Sequence, residues 1–121
     1  DSQPQQTFNY VAQALNQFDL AYLHAVEGGI HGGGESEPFD FFALRKLFNN
    51  RYIANLGYDK ARGNAVIASG HADAVAFGVP FIANPDLVAR YAKDAPLNEA
   101  DSSSFYGGTD KGYTDYPFLN V

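Results

Sequence analysis

Three short apolar runs, each followed by a helix signature, constrain this chain more than any other feature. Leu20 to Val26 is a run consistent with a strand buried on both faces. Tyr52 to Leu56 is a second, closed by Gly57, and Ala72 to Phe77 is a third, closed by Gly78. Between and around them the pattern is helical. Phe8, Val11, Ala12, Leu15 and Phe18 form the stripe of an amphipathic helix that Thr7 could cap, preceded by a polar loop over Asp1 to Gln6. Asp40 is placed to cap a helix over Phe41 to Phe48. Asp59 can cap another over Lys60 to Ala68, and Gly70 stands where a glycine ending that helix would. Asn84, Pro85 and Asp86 read as an N-cap, a first-position proline and a first-turn acid, so a short helix is expected over Pro85 to Tyr91.

Helices alternating with buried strands imply parallel βαβ units. The runs begin at positions 20, 52 and 72, a spacing close to the ~31 residues per unit of a (β/α)8 barrel of ~250 residues. Three strands cannot close a barrel, and a flavodoxin-like sheet needs about five. The 121 residues therefore read as one segment of an incomplete α/β fold, ending in a polar, aromatic-rich tail over 93–121. The chain contains no Met and begins with Asp, so it is expected to be processed or part of something longer.

Composition excludes several kinds of chemistry. With 8 Lys plus Arg against 14 Asp plus Glu, nothing favours binding a phosphate backbone, so no nucleic-acid partner is expected. The absence of Cys removes disulfides, thiolate nucleophiles and zinc-thiolate sites. No apolar stretch approaches a membrane span, and no signal peptide is visible, so a cytoplasmic setting is expected. His24, His31 and His71 show no metal-ligand spacing. His24 is either a satisfied core histidine or faces a pocket, and His71 reads as a turn residue. His31-Gly32-Gly33-Gly34 resembles an esterase oxyanion loop, but no G-x-S-x-G elbow accompanies it. A flexible loop that also holds Glu35 and Glu37 is the simpler reading.

Two features point to a ligand. Leu56-Gly57 and Gly78-Val79 each end a strand where parallel α/β folds bind ligands. Glycine there lets backbone N–H groups approach an anion, although the spacing also fits plain strand-to-helix turns, the commoner use. Phe105, Tyr106, Tyr113 and Tyr116 put aromatics in a polar tail. They either staple the tail to the body or line a flat cofactor.

The segment Asp73 to Gly78, followed by Phe81-Ile82-Ala83-Asn84-Pro85-Asp86-Leu87, resembles the last barrel strand and following helix of the Old Yellow Enzyme family of flavin-dependent alkene reductases. Leu20 to His24, Val26-Glu27, Gly57-Tyr58-Asp59, Ala95 to Asn98, Ser104-Phe105-Tyr106 and Gly112 to Pro117 resemble the family in the same order. The resemblance implies the C-terminal third of a (β/α)8 TIM barrel, strands six to eight, with FMN across the barrel mouth. Backbone N–H groups at Leu56, Gly57, Gly78 and Val79 would hold part of its phosphate, and Phe105 and Tyr106 would lie beside the flavin ring and substrate pocket. The family often has glycine where Leu56 stands and usually arginine where Val79 stands. Its proton-donating tyrosine and substrate-anchoring pair lie on earlier strands, so no catalytic residue is expected here and the isolated chain is expected to be inactive. The implied whole enzyme moves hydride from NAD(P)H through FMN to the activated C=C of an α,β-unsaturated carbonyl compound. Its partners would be that small molecule and the remaining N-terminal part of the barrel. The competing expectation is a small non-enzymatic α/β domain, or a half-barrel that self-associates to cover its open strand edges.

Overall fold

The computed structural model describes residues 2–28, 39–107 and 109–119. The expectations placed on His31 to Gly34, Glu35 and Glu37 lie outside them. The described residues form two compact units, 1–76 and 77–121.

Unit 1 is a three-stranded parallel sheet in the order β1-β2-β3, built from β1 (Tyr22–Val26), β2 (Arg51–Asn55) and β3 (Ala74–Ala76). Its helices are α1 (Pro4–Ala14), α2 (Phe41–Leu47) and α3 (Lys60–Ala68). The expected parallel βα arrangement is present. In register, Leu23 pairs with Tyr52 and Ala25 with Ala54, placing these four on one face. That face packs with Ala12 of α1 and Leu44 of α2 into the core, together with Ala72 and flanking Phe39, Phe41, Leu47 and Val66.

β1 is not buried on both faces. Tyr22, His24 and Val26 are exposed while Leu23 and Ala25 are half-buried. Side chains alternate across a strand, and helices pack only on the Leu23 side among the described residues. His24 is neither in the core nor alone: its Nε2 meets Asn55 Nδ2 at 3.1 Å on the open face. His71 is an exposed turn residue, edge-on to Phe42 with ring centroids 4.0 Å apart.

The capping expectations for α2 and α3 hold. Asp40 accepts from Ala43 N at 3.0 Å and Asp59 from Arg62 N at 2.8 Å. Gly70 follows α3 with φ +75°, the left-handed position that ends a helix. The start of α1 differs from expectation. It begins at Pro4, whose fixed φ and missing donor suit a first turn. Thr7 is therefore inside the helix, its hydroxyl donating to Gln3 O at 3.2 Å. At the amino end of β3, Asp73 accepts from Tyr52 N at 2.8 Å and pairs with Arg45 and Arg51 at 3.0 and 3.2 Å.

Unit 2 holds α4 (Val79–Ala83) and α5 (Leu87–Ala92), then a long tail with one 3-10 turn at Ser102–Ser104. The sequence reading places no helix where α4 forms, and α5 starts later than Pro85. Asn84 does not cap α5 with its side chain. It is buried, donating through Nδ2 to Pro80 O at 2.8 Å and accepting from Asn98 N at 2.7 Å. Leu87 fills the centre of the unit and is 1% exposed.

The tail is fastened chiefly by polar groups rather than aromatics. Arg90 is buried and donates to Asp86 Oδ1, Pro96 O and Pro117 O at 2.7, 2.6 and 2.9 Å. Asn98 Nδ2 donates to Ala83 O and Pro117 O. Of the aromatics, Tyr116 takes a hydrogen bond from Asp101 N at 2.9 Å and Phe105 is half-buried. Tyr106, Tyr113 and Phe118 are exposed.

Candidate functional site

The residues singled out in the sequence fall in three places. Leu56 and Gly57 form the turn after β2 in unit 1. Gly78 and Val79 begin α4 in unit 2, two and three residues after β3 in the chain. Phe105 and Tyr106 follow the 3-10 turn in the tail of unit 2.

The β2 turn has an unusual backbone. Leu56 has φ +97° and Gly57 φ +68°. Glycine takes that region freely; a residue with a Cβ does so at a cost of about 1–3 kcal/mol and only where its surroundings hold it. The Leu56 side chain is 50% exposed, so burial does little to offset that cost. Its Cδ2 lies 2.7 Å from where a Cβ on Gly28 would stand, so a larger residue at 28 would make the Leu56 side chain shift. Arg62, one turn into α3, donates through Nη1 to Gly57 O, and its guanidinium lies 5.1 Å from the Tyr58 ring centroid.

A carboxylate between two phenols stands beside this turn. Glu27 accepts from Tyr52 Oη at 2.8 Å and from Tyr58 Oη at 2.5 Å. Burial pushes the Tyr52 phenol well above its ordinary value, and the bond to Glu27 adds to the rise. The same two causes push Tyr58 up to about 12. The spacing patterns in the sequence gave no hint of this trio, because its members are 25 and 31 residues apart from Glu27.

Gly78 has a negative φ and open space beside it: a Cβ there would meet no atom within 4 Å. Val79 is 50% exposed and Tyr106 is 101% exposed. Among the described residues, no group of three or more His, Asp or Glu side chains could hold a metal ion, and no helix is long and apolar enough to cross a membrane.

A parallel sheet carrying helices on one face, with glycine turns after two of its strands, is the architecture of part of a (β/α) barrel. No protein-family model matches the chain. It is 46% identical over 123 residues to 12-oxophytodienoate reductase 1 of Oryza sativa subsp. japonica, covering 98% of this chain and 32% of that protein. Its fold matches morphinone reductase in complex with tetrahydroNAD, with a TM-score of 0.86 and 45% identity, covering 99% of this chain and 32% of that one. It also matches the old yellow enzyme from Trypanosoma cruzi, with a TM-score of 0.89 and 38% identity, covering 99% of this chain and 31% of that one. The chain belongs to the Old Yellow Enzyme family and spans about a third of the length of the relatives it matches.

Proposed function

We propose that this chain supplies strands six to eight of a flavin-binding (β/α)8 barrel, as a single segment, and with them part of the bed for FMN. The whole enzyme would reduce the activated C=C of α,β-unsaturated carbonyl compounds with NAD(P)H, in a cytoplasmic setting. The observation that carries this reading is the match to named reductases along 98–99% of the chain. FMN, when bound, supplies the hydride transfer itself.

The residues present fit the phosphate end of such a cofactor. Leu56 and Gly57 turn the chain through two left-handed residues after β2, and Gly78 leaves open space beside the backbone. The amides of Leu56, Gly57, Gly78 and Val79 would donate to the phosphate. The exposed ring of Tyr106 and the half-buried ring of Phe105 would border the flavin and the substrate. This segment orients the cofactor and contributes no proton donor.

The test is complementation. The chain is mixed with the N-terminal two-thirds of the barrel and titrated with FMN. A red-shifted, quenched flavin and alkene reduction with NAD(P)H are expected from the mixture and neither from the chain alone. A complemented complex that leaves FMN unbound would count decisively against the reading.

The open face of the sheet favours a second reading, a self-associating half-barrel without activity of its own. Tyr22 and Val26 are 54% and 62% exposed on that face. Sedimentation of the isolated chain decides it: dimers or larger species support self-association, and a stable monomer sinks it.

A further inference from the structure

Glu27 has no part in the flavin-binding reading so far, yet it reaches both sides of the Leu56–Gly57 turn. Its amide donates to Asn55 O at 2.8 Å, extending the β1–β2 ladder one step beyond the Val26–Asn55 pair. That fixes the residue before the turn. Its carboxylate accepts the Tyr58 phenol at 2.5 Å, which fixes the residue after it. The other carboxylate oxygen takes the phenol of Tyr52, which is 0% exposed, so the Glu27 side chain is tied to the core of unit 1.

Only Leu56 and Gly57 lie between these two fixed points, and both have positive φ. A leucine holds such a conformation only where neighbouring contacts determine it. Gly28, next to Glu27, lies directly against Leu56 Cδ2. The end of β1 thus touches the turn by packing as well as by hydrogen bonds.

We propose that Glu27 is a positioning residue for the anion-binding turn, holding Tyr52 and Tyr58 so that the Leu56 and Gly57 amides stay aimed at the FMN phosphate. The identity of the anion rests on the reading of the preceding section. A carboxylate suits the task because both its oxygens accept, and hydrogen bonds to an ionised acceptor are short and strong. A glutamine in its place has one acceptor oxygen, so it cannot accept both phenols at the two positions that the carboxylate oxygens hold.

The experiment uses the complemented barrel, titrated in parallel with FMN and riboflavin. The flavin ring is common to both, so the ratio of their dissociation constants isolates the phosphate. Glu27→Gln is expected to lower the preference for FMN about tenfold while riboflavin binds as before. Tyr58→Phe is expected to act in the same direction, and carries the test alone should Glu27→Gln not fold. Amide hydrogen exchange at Leu56 and Gly57 is expected to quicken in both variants, with Ala54 unchanged. An unchanged FMN preference overturns the inference. So does a loss shared equally by riboflavin, which marks a general loosening of the fold. If the unsubstituted barrel binds riboflavin as tightly as FMN, the phosphate reading itself fails, a result visible before any variant is made, and the inference falls with it.

Discussion

Arg90 Nε donates to Asp86 Oδ1 at 2.7 Å across one turn at the start of α5, while the other oxygen of Asp86 accepts from Leu119 N at 2.7 Å. One ion pair thereby ties the helix to a point 33 residues along the chain. The Arg90 hydrogen bond holds the Asp86 carboxyl below its ordinary 3.8, with the Leu119 amide helping. A carboxyl lowered in the folded state stabilises the fold above its ordinary value and loses that effect as pH falls below it. Arg90→Leu is expected to expose the tail, because the Pro96 carbonyl also loses its Arg90 donor and the Pro117 carbonyl keeps only Asn98. Limited proteolysis within 93–121 should quicken on the order of tenfold or more. Arg90→Lys should not restore protection, since an ammonium cannot span three acceptors set for a planar fork.

Leu56 offers a test of backbone strain that runs against the usual preference. Alanine normally stabilises over glycine, but at φ +97° the Cβ is the liability. Leu56→Gly should be more stable than Leu56→Ala by about 1 kcal/mol. Both variants lose the same half-exposed side chain, so their difference isolates the backbone. Urea unfolding of the two chains, compared by midpoint at equal slope, measures it. Equal midpoints would remove the strain from the account.

Residues acting within their own element were legible in the sequence, and residues acting across elements were not. Asp40, Asp59 and Gly70 do their work within four residues of themselves, and their roles follow from side-chain reach alone. Pro4 also acts locally, but it stands in a polar stretch that reads as a loop, and proline suits a first helical turn as well as it suits a loop. α4 has five residues, too few to show a period. Asn84 has the sequence context of a cap, but its amide is used between Pro80 and Asn98. The glycine turns stood out because they follow strands. Glu27, Tyr52 and Tyr58 did not, because only the β1–β2 register brings them together.

The two phenols on Glu27 make unit 1 sensitive to alkali. Tyr58 is pushed up to about 12 and Tyr52 is raised further, against an ordinary 10.0. The folded chain therefore keeps protons that the unfolded chain gives up above pH 10, and stability falls with each step in pH from there through 12. Tyrosinate absorbance should rise in two stages. Tyr52 and Tyr58 should titrate last, together with loss of the folded circular dichroism signal. Tyr52→Phe should remove one late-titrating group and flatten the fall in stability above pH 10. Eight tyrosines titrating in one step near pH 10, with the fold intact, would contradict the buried trio.

Val79 is where the family usually carries arginine. It opens α4 and is 50% exposed, so a long side chain can be added there without displacing core atoms. Backbone amides alone give a phosphate neutral donors, whereas a guanidinium adds two parallel charge-assisted bonds. If Gly78 and Val79 bind the FMN phosphate as proposed, Val79→Arg should raise the preference for FMN over riboflavin in the complemented barrel by about tenfold. The gain should shrink with added salt, since part of it is attraction between exposed charges. Val79→Gln, which adds length and donors without charge, should recover little of it. A Val79→Arg barrel with unchanged FMN preference would place the phosphate elsewhere, because the added guanidinium springs from the residue next to Gly78.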